Sequence, residues 1–384
     1  AHPIDDAQTP LRAPKTFRYG AIKLTDRIHK YGAKIFFQDS VGHGRMRLYQ
    51  KSASEIPYLY DPQRLTVPMT KEEIQLKVDS SIKLALLAKS SGFDGIEIHG
   101  MHWGYLLDQF STPSMNHRTD EYGGDLDGRL NFVRQLIVGI KEAVGKDFPV
   151  SIRFSIKHFM TDFGKASLTG ENEFGRSLEQ AVEIVKKLEE YGVDMLNCNS
   201  GCYDGFYYAN PPYYMDYCYN LGLAKAIKEA VSIPVFLAGK MDDPDLCEKA
   251  LAEGWIDGIV LGRASLAEPH YPQKLLMGRP ETIRPCICCH NCTATLFDGG
   301  MPMCAVNPAV FLENSYDLRK APVSKKVAVI GGGLAGMEAA RVAAVCGHDV
   351  TIYERSGELG GHLIEAGAHP FKRGIARLND WYKN

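Results

Sequence analysis

The sequence predicts an α/β protein. It reads as a parallel (β/α)8 TIM barrel whose first strands are missing from the chain, followed by a Cys-rich segment and the start of a Rossmann-like nucleotide-binding fold. Three observations carry this. Short β-branched runs alternate with amphipathic helical runs over about the first 280 residues. Polar residues stand at the ends of nearly all the candidate strands. After residue 324 the pattern changes to a strand, a glycine-rich turn, a helix and a second strand.

The candidate strands are Ala33–Gln38, Gly95–His99, Val150–Ser155, Met195–Asn199, Val235–Gly239 and Gly258–Gly262. Each is short and largely apolar, as buried parallel strands are. Between them, Lys71–Ser91 carries Ile74, Val78, Ile82, Ala85 and Leu86 on one stripe, with Thr70 and Glu73 spaced as a capping box. Leu126–Val144, Leu178–Tyr191, Leu221–Ala230 and Pro244–Ala252 follow the same helical period. Alternation at this spacing means βαβ units. Six strands leave two of eight unaccounted for; a complete barrel takes about 250 residues. An open doubly wound sheet is the alternative. The strand-end residues Gln38, His99, Arg153, Asn199, Lys240 and Arg263 favour the barrel, because barrel active sites are built at that end.

Composition excludes several classes. Over 384 residues, 45% are hydrophobic and 23% charged, which suits a globular protein with a large core. A net charge of −2 gives no case for nucleic acid or an anionic membrane as partner. No apolar run reaches the roughly 18 residues of a membrane span, and AHPIDD has no basic-then-apolar signal pattern. Five of the ten Cys, at 286, 288, 289, 292 and 304, fall in one short stretch. Such clustering reads as metal or cluster ligation in a reducing compartment, hence the cytoplasm. The chain opens without Met and stops about 60 residues into the second fold, so it reads as part of a longer protein.

Three motifs carry chemistry. Gly331, Gly333 and Gly336 form a G-x-G-x-x-G turn after the apolar strand Val327–Ile330, and Glu354 ends the next apolar strand. Such glycines let backbone approach a pyrophosphate at a helix N-terminus, while the carboxylate takes ribose hydroxyls. The bland alternative is a tight turn without ligand. Gly360-Gly361 after Glu354-Arg355 resembles FAD-binding units of disulfide-reductase-like flavoproteins more than an NAD unit, so FAD is expected here. Cys286-x2-Cys289-x2-Cys292-x11-Cys304 crowds four thiols as a [4Fe–4S] cluster requires; structural zinc usually takes two separated pairs. Cys288 is the surplus thiol, and four Cys leave His290 unneeded as a ligand. Finally, His99, His102 and Tyr105 crowd one strand end. Two imidazoles can hold a carbonyl or carboxylate oxygen while a phenol delivers a proton. Satisfied polar side chains at a strand end are the alternative for each alone.

The run HGMHWGYLLDQF…STPSMNHRTDEYGG, with RPCICCHNC…MCAVNP and the Gly-rich turn after it, resembles the Old Yellow Enzyme family over essentially the whole chain. The likeness is strongest to its iron–sulfur branch: 2-enoate reductase, 2,4-dienoyl-CoA reductase, the bile-acid and steroid enone reductases of gut anaerobes, and trimethylamine dehydrogenase. The resemblance implies FMN in the barrel, a [4Fe–4S] cluster beside it, then FAD and NAD(P)H domains. It implies that Gln38 contacts the flavin pyrimidine edge and Arg153 its N1/O2 side. It casts His99 and His102 as the grip on the substrate's activating oxygen and Tyr105 as the proton donor. Gly239-Lys240 and Gly262-Arg263 match the phosphate-binding turns. Trp103 matches a residue of the longer 2-enoate-type pattern and suggests a pocket wall for a flat or apolar substrate; the aromatic loop Tyr203–Tyr214 points the same way, unless it is simply a packed barrel-top loop.

The expected organisation is an FMN-binding barrel (1–283), a cluster segment (284–310), a linker (311–324) and a partial FAD/NAD(P)-binding domain (325–384). The expected activity is NAD(P)H-dependent reduction of the C=C bond of an α,β-unsaturated acid, thioester or ketone. A trimethylamine-dehydrogenase-like amine oxidoreductase and a non-catalytic electron-transfer subunit are the rivals. The partner is a small-molecule enone or enoate; a homo-oligomer is compatible with the sequence.

Overall fold

The computed structural model describes residues 10–170, 174–316 and 318–384. Its elements run α1 (Pro14–His29), β1 (Phe36–Asp39), α2 (Lys71–Ser90), β2 (Gly95–Met101), α3 (Leu106–Ser111), α4 (Leu126–Val144), β3 (Val150–Ser155), β4 (Met160–Asp162), β5 (Lys165–Ala166), α5 (Leu178–Glu190), β6 (Met195–Asn199), α6 (Phe206–Ala209), α7 (Leu221–Ala230), β7 (Val235–Leu237), α8 (Pro244–Ala252) and β8 (Gly258–Ile259). Then come α9 (Arg263–Ala267), α10 (Tyr271–Leu276), α11 (Asn291–Phe297), β9 (Lys326–Ile330), α12 (Leu334–Val345), β10 (Asp349–Tyr353), α13 (His362–Gly367) and α14 (Arg373–Lys383).

The chain divides into two compact units. The first comprises Ala1–Asn210, Asn220–Gly239 and Glu248–Val260. Here β1, β2, β3, β6, β7 and β8 pair in parallel in chain order, which is the expected succession of barrel strands. The strand interiors are apolar: Ile96, Ile98, Val150, Ile152, Phe154, Leu196, Val235 and Leu237 are all inaccessible to solvent. Removing each from water contributes about 1.5–3 kcal/mol. Helices cover the sheet because βαβ crossovers put them there. The expected cap of α2 is present: Thr70 Oγ1 accepts from the Glu73 N–H at 3.2 Å, and Glu73 returns the bond at 2.9 Å.

Several elements differ from expectation. The last two strands are shorter than predicted, ending at Leu237 and Ile259. Gly239, at φ +118°, turns the chain out of the sheet after β7. The helix α1 and the hairpin β4–β5 have no counterpart in the sequence reading. The hairpin is only five residues of strand, too short for a period-2 signal to register.

The second unit comprises Pro211–Tyr219, Lys240–Cys247 and Leu261–Asn384. In it β9 and β10 pair in parallel, with α12 between them in the chain, as a Rossmann-like start requires. Gly336 permits the close turn: a Cβ there would stand 1.9 Å from the Gly331 carbonyl oxygen. Ala267, Val306 and Leu378 form a buried cluster against which Trp381 and Tyr382 pack.

Candidate active site

At the end of β2 the strand departs from regular pairing, with a register shift between His99 and Met101. Trp103 then takes the left-handed conformation at φ +58°, and Gly104 follows at +79°. This pair of left-handed residues turns the chain sharply and aims three rings at one another. His99 lies 5.0 Å from His102 and 4.8 Å from Tyr105, centroid to centroid. The three predicted residues therefore form one group.

Buried polar groups hold that turn. The Gly104 N–H donates to Asp108 Oδ2 at 2.8 Å, and Gln109 Nε2 donates to the Gly104 carbonyl at 2.7 Å. Asp108 also pairs with Arg176 and with His158 Nε2. Burial opposes its ionisation, but the charges of Arg176 and His158 hold its pKa down at about 2. Sequence reasoning missed this support because Arg176 and His158 lie far along the chain.

Both histidines are neutral. Burial first, then the nearby positive Arg153, lowers His99 to about 3 and holds His102 well below the ordinary imidazole range. His102 is 1% exposed, and among the described residues neither ring nitrogen has a hydrogen-bond partner of good geometry. An orphaned buried imidazole costs free energy unless something completes it. Tyr105 is also buried, and desolvation together with Tyr203 raises its pKa well above 10. It is a phenol at neutral pH and can donate a proton.

The wall beside them is aromatic. Trp103 stacks on His102 at 4.7 Å and meets Tyr203 edge-on at 5.3 Å; Phe206 stacks on Tyr203 at 5.6 Å. The loop carrying Tyr203 is fixed by Asp204, which takes both a 2.8 Å and a 3.1 Å bond from Arg45 Nη1. These two side chains are 1% and 0% exposed, a pairing across 159 residues that nothing local announces.

Beneath this group Gln38 and Arg153 share one network. Gln38 Nε2 donates to Glu97 Oε1 at 2.6 Å. Asn197 Nδ2 donates to Glu97 Oε2 at 2.7 Å, and Arg153 Nη1 donates to Asn197 Oδ1. With its amide N–H committed to Glu97, the exposed Gln38 keeps its amide oxygen available, while the mostly buried Arg153 supplies a cation. A polar, half-open edge beside an orphaned imidazole fits the pyrimidine end of a flavin. Glu97 and Asn197 were not among the predicted site residues.

In the second unit the predicted phosphate-turn residues serve other contacts. Lys240, at φ +57°, donates through Nζ to the carbonyls of Tyr213 at 3.0 Å, Pro212 at 3.4 Å and Met215. Arg263, which Gly262 precedes at the N-terminus of α9, meets His290 Nε2 at 2.9 Å through Nη1.

Cys286, Cys289, Cys292 and Cys304 line one small pocket, together with Arg263 and His290. Cys288 does not line it and is 3% exposed. Left-handed conformations at Cys288 and His290 bend the chain around this pocket. The Cys288 N–H points at the Cys286 sulfur at 3.4 Å, the kind of contact that tunes cluster thiolates. Among the described residues no group of three or more His, Cys, Asp or Glu is close enough for a single metal ion. A single ion draws ligands to about 2.3 Å. Four thiols around one pocket are the donor set that a [4Fe–4S] cluster takes.

Glu354 Oε2 accepts from the Gly332 N–H at 2.6 Å and Oε1 from the Ser356 N–H at 2.9 Å. These backbone donors lower its pKa to about 2. The carboxylate thus sits at the Gly-rich turn, with Gly331 left-handed and Gly333 capping α12; Arg355 beside it is exposed.

A parallel α/β sheet with this strand-end group is the arrangement that the resemblance to the Old Yellow Enzyme family implies. The chain belongs to the NADH:flavin oxidoreductase / NADH oxidase family, which residues 19–282 match. Residues 306–370 match the pyridine nucleotide-disulphide oxidoreductase family. The chain is 42% identical over 383 residues to a cinnamate reductase of Clostridium sporogenes, covering 97% of this chain and 58% of that one. The structure of a 2-naphthoyl-CoA reductase in complex with 2-naphthoyl-CoA superposes with a TM-score of 0.80 at 29% identity, covering 96% of this chain and 57% of that one. A histamine dehydrogenase from Rhizobium sp. 4-9 superposes at 0.83 with 26% identity, covering 96% and 53%. The chain thus spans little more than half the length of these relatives. Among the described residues no helix is long and apolar enough to cross a membrane.

Proposed function

We propose that the full-length protein is an NAD(P)H-dependent ene-reductase acting on an α,β-unsaturated acid, thioester or ketone. The observation that carries this is the convergence of two neutral imidazoles and a protonated phenol at the end of β2. A bound FMN would supply hydride to the β-carbon of the alkene. Gln38 and Arg153 would hold its pyrimidine edge, and the turns Gly239-Lys240 and Gly262-Arg263 its phosphate. His99 and His102 donate N–H to the carbonyl oxygen and stabilise its growing negative charge. Because they are neutral, they polarise the carbonyl without giving up a proton. Tyr105 protonates the α-carbon and recovers its proton through Tyr203. Trp103, Tyr203 and Phe206 exclude water and suit a flat apolar substituent such as an aryl ring.

Cys286, Cys289, Cys292 and Cys304 would hold a [4Fe–4S] cluster, which supplies one-electron transfer. Gly331, Gly333, Gly336, Glu354 and Arg355 would hold the pyrophosphate and ribose of FAD, with a nicotinamide nucleotide as the alternative. The cytoplasm is the compartment in which such clustered thiols stay reduced.

Amine oxidation is the second reading, favoured by the aromatic wall and by the histamine dehydrogenase likeness. Against it, the loop's own carboxylate, Asp204, is committed to Arg45 and cannot steady a cation. NAD(P)H oxidation by full-length protein with cinnamate, crotonyl-CoA, a 3-oxo-Δ4 steroid and a bile-acid enone tests the proposal. Flavin reduction by amines with no enone turnover would replace it with the second reading.

A further inference from the structure

The second unit contains a cavity of about 490 Å³, lined among others by Arg284, Arg341, Glu338, Val310, Val342 and Trp381. That size falls within the roughly 300–1,000 Å³ of small-molecule sites. Its charged residues are nearly all accounted for. Lys274 Nζ donates to Glu268 Oε2 at 2.5 Å and to the Thr282 carbonyl at 2.7 Å. Arg341 holds Glu338 with two bonds, 2.7 and 2.8 Å, and Tyr382 donates to the same carboxylate at 3.0 Å. Glu313 accepts from the Phe311 N–H at 3.1 Å.

Arg284 is the exception. It is 9% exposed, and its Nε is buried without a partner. Its backbone N–H reaches Glu268 at 3.3 Å, but its guanidinium makes no hydrogen bond or ion pair among the described residues. The guanidinium lies over the Trp381 ring, 4.7 Å from the centroid. The indole N–H itself is spent on the Thr282 carbonyl at 2.8 Å. Cation–π contact offsets about 0.5–2 kcal/mol of the desolvation cost. A buried guanidinium wants a planar anionic partner for its fork of donors.

We propose that this cavity binds a small organic anion, a carboxylate on a flat apolar body, with Arg284 gripping the carboxylate. Val310, Val342 and Trp381 enclose the apolar part. Trp381 fixes the guanidinium plane so that two N–H groups can meet both carboxylate oxygens. The site lies wholly in the second unit and is independent of the reaction proposed for the barrel.

The test uses full-length holoprotein with 4-bromobenzoate as the probe. Crystals soaked with it should show an anomalous bromine peak in the cavity, with the carboxylate on Arg284. Calorimetry should show binding that weakens about tenfold or more for 4-bromobenzamide and in Arg284→Met, as loss of a charge-assisted pair predicts. Arg284→Lys should retain part of it. If Arg284→Met does not fold, judged by flavin content and melting temperature, the comparison of acid with amide on the unaltered protein decides. An empty cavity, equal binding of acid and amide, or a carboxylate from elsewhere in the full chain seated on Arg284 would overturn the proposal.

Discussion

The hydroxyl of Tyr105 lies 3.2 Å from that of Tyr203, and the two rings stack at 5.8 Å. One phenol faces the two histidines; the other belongs to the loop after β6. A proton lost by Tyr105 can therefore be replaced from Tyr203 without water entering the site. Tyr203→Phe keeps the ring against Trp103 and removes this relay. The expected result is a turnover rate lower by roughly tenfold, about the value of one hydrogen bond or slightly more, with KM little changed. A tenfold rise in KM at constant kcat would instead make Tyr203 a binding group.

Glu97 joins Gln38 and, through Asn197, Arg153, the two residues proposed for the flavin edge. Its hydrogen bonds are charge-assisted, worth about 1.5–3 kcal/mol each. Glu97→Gln keeps the shape and removes the charge, so Gln38 loses its fixed orientation. FMN affinity of the apoprotein, read by quenching of FMN fluorescence, should fall by about ten- to a hundredfold. Unchanged affinity would reduce Glu97 to a core residue.

The thiols give a composition test. Cys292→Ser should abolish a load of about four iron and four sulfide per chain, while Cys288→Ser should keep it. Elemental analysis of anaerobically purified protein checks both. Zinc without sulfide would refute the cluster.

Acid dependence follows from His99 and Asp108. His99 has a folded pKa near 3, lowered by burial and then by Arg153. Between about pH 6.5 and 3 the unfolded chain takes up a proton that the folded one refuses, so stability falls as pH falls through that window. Asp108, held near 2 against 3.8 when unfolded, contributes on the order of 2 kcal/mol above pH 4 and loses it as pH falls toward 2. Denaturant titrations at pH 7, 5 and 4 should show midpoints moving steadily down. Substrate affinity, by contrast, should show no step between pH 6 and 8, because neither histidine titrates there.

How much of this the sequence disclosed depends on chain separation. His99, His102 and Tyr105 were legible because a strand end and one turn place them within seven residues. The four Cys were legible through their spacing. Glu97 stands in the same run as His99, yet its partners Gln38, Ser151 and Asn197 come from three other strands, so only registered pairing brings them together. The Arg45–Asp204 pair is likewise a product of loop packing, with no local period to betray it. Trp103 was read as a pocket wall from its chemistry; its left-handed backbone, which sets the turn, is not a preference an aromatic residue advertises.

The most direct test of the account is single-turnover reoxidation of reduced full-length protein by cinnamate, with Tyr105→Phe against the unaltered protein. The substitution preserves the ring and its stacking and removes only the hydroxyl. Reduction by NAD(P)H should be nearly unchanged and cinnamate affinity little altered, since the proposal gives the oxygen contact to His99 and His102. Reoxidation should slow by about 10²–10⁴-fold, the range of general acid catalysis. Reoxidation of Tyr105→Phe at the unaltered rate would contradict the account.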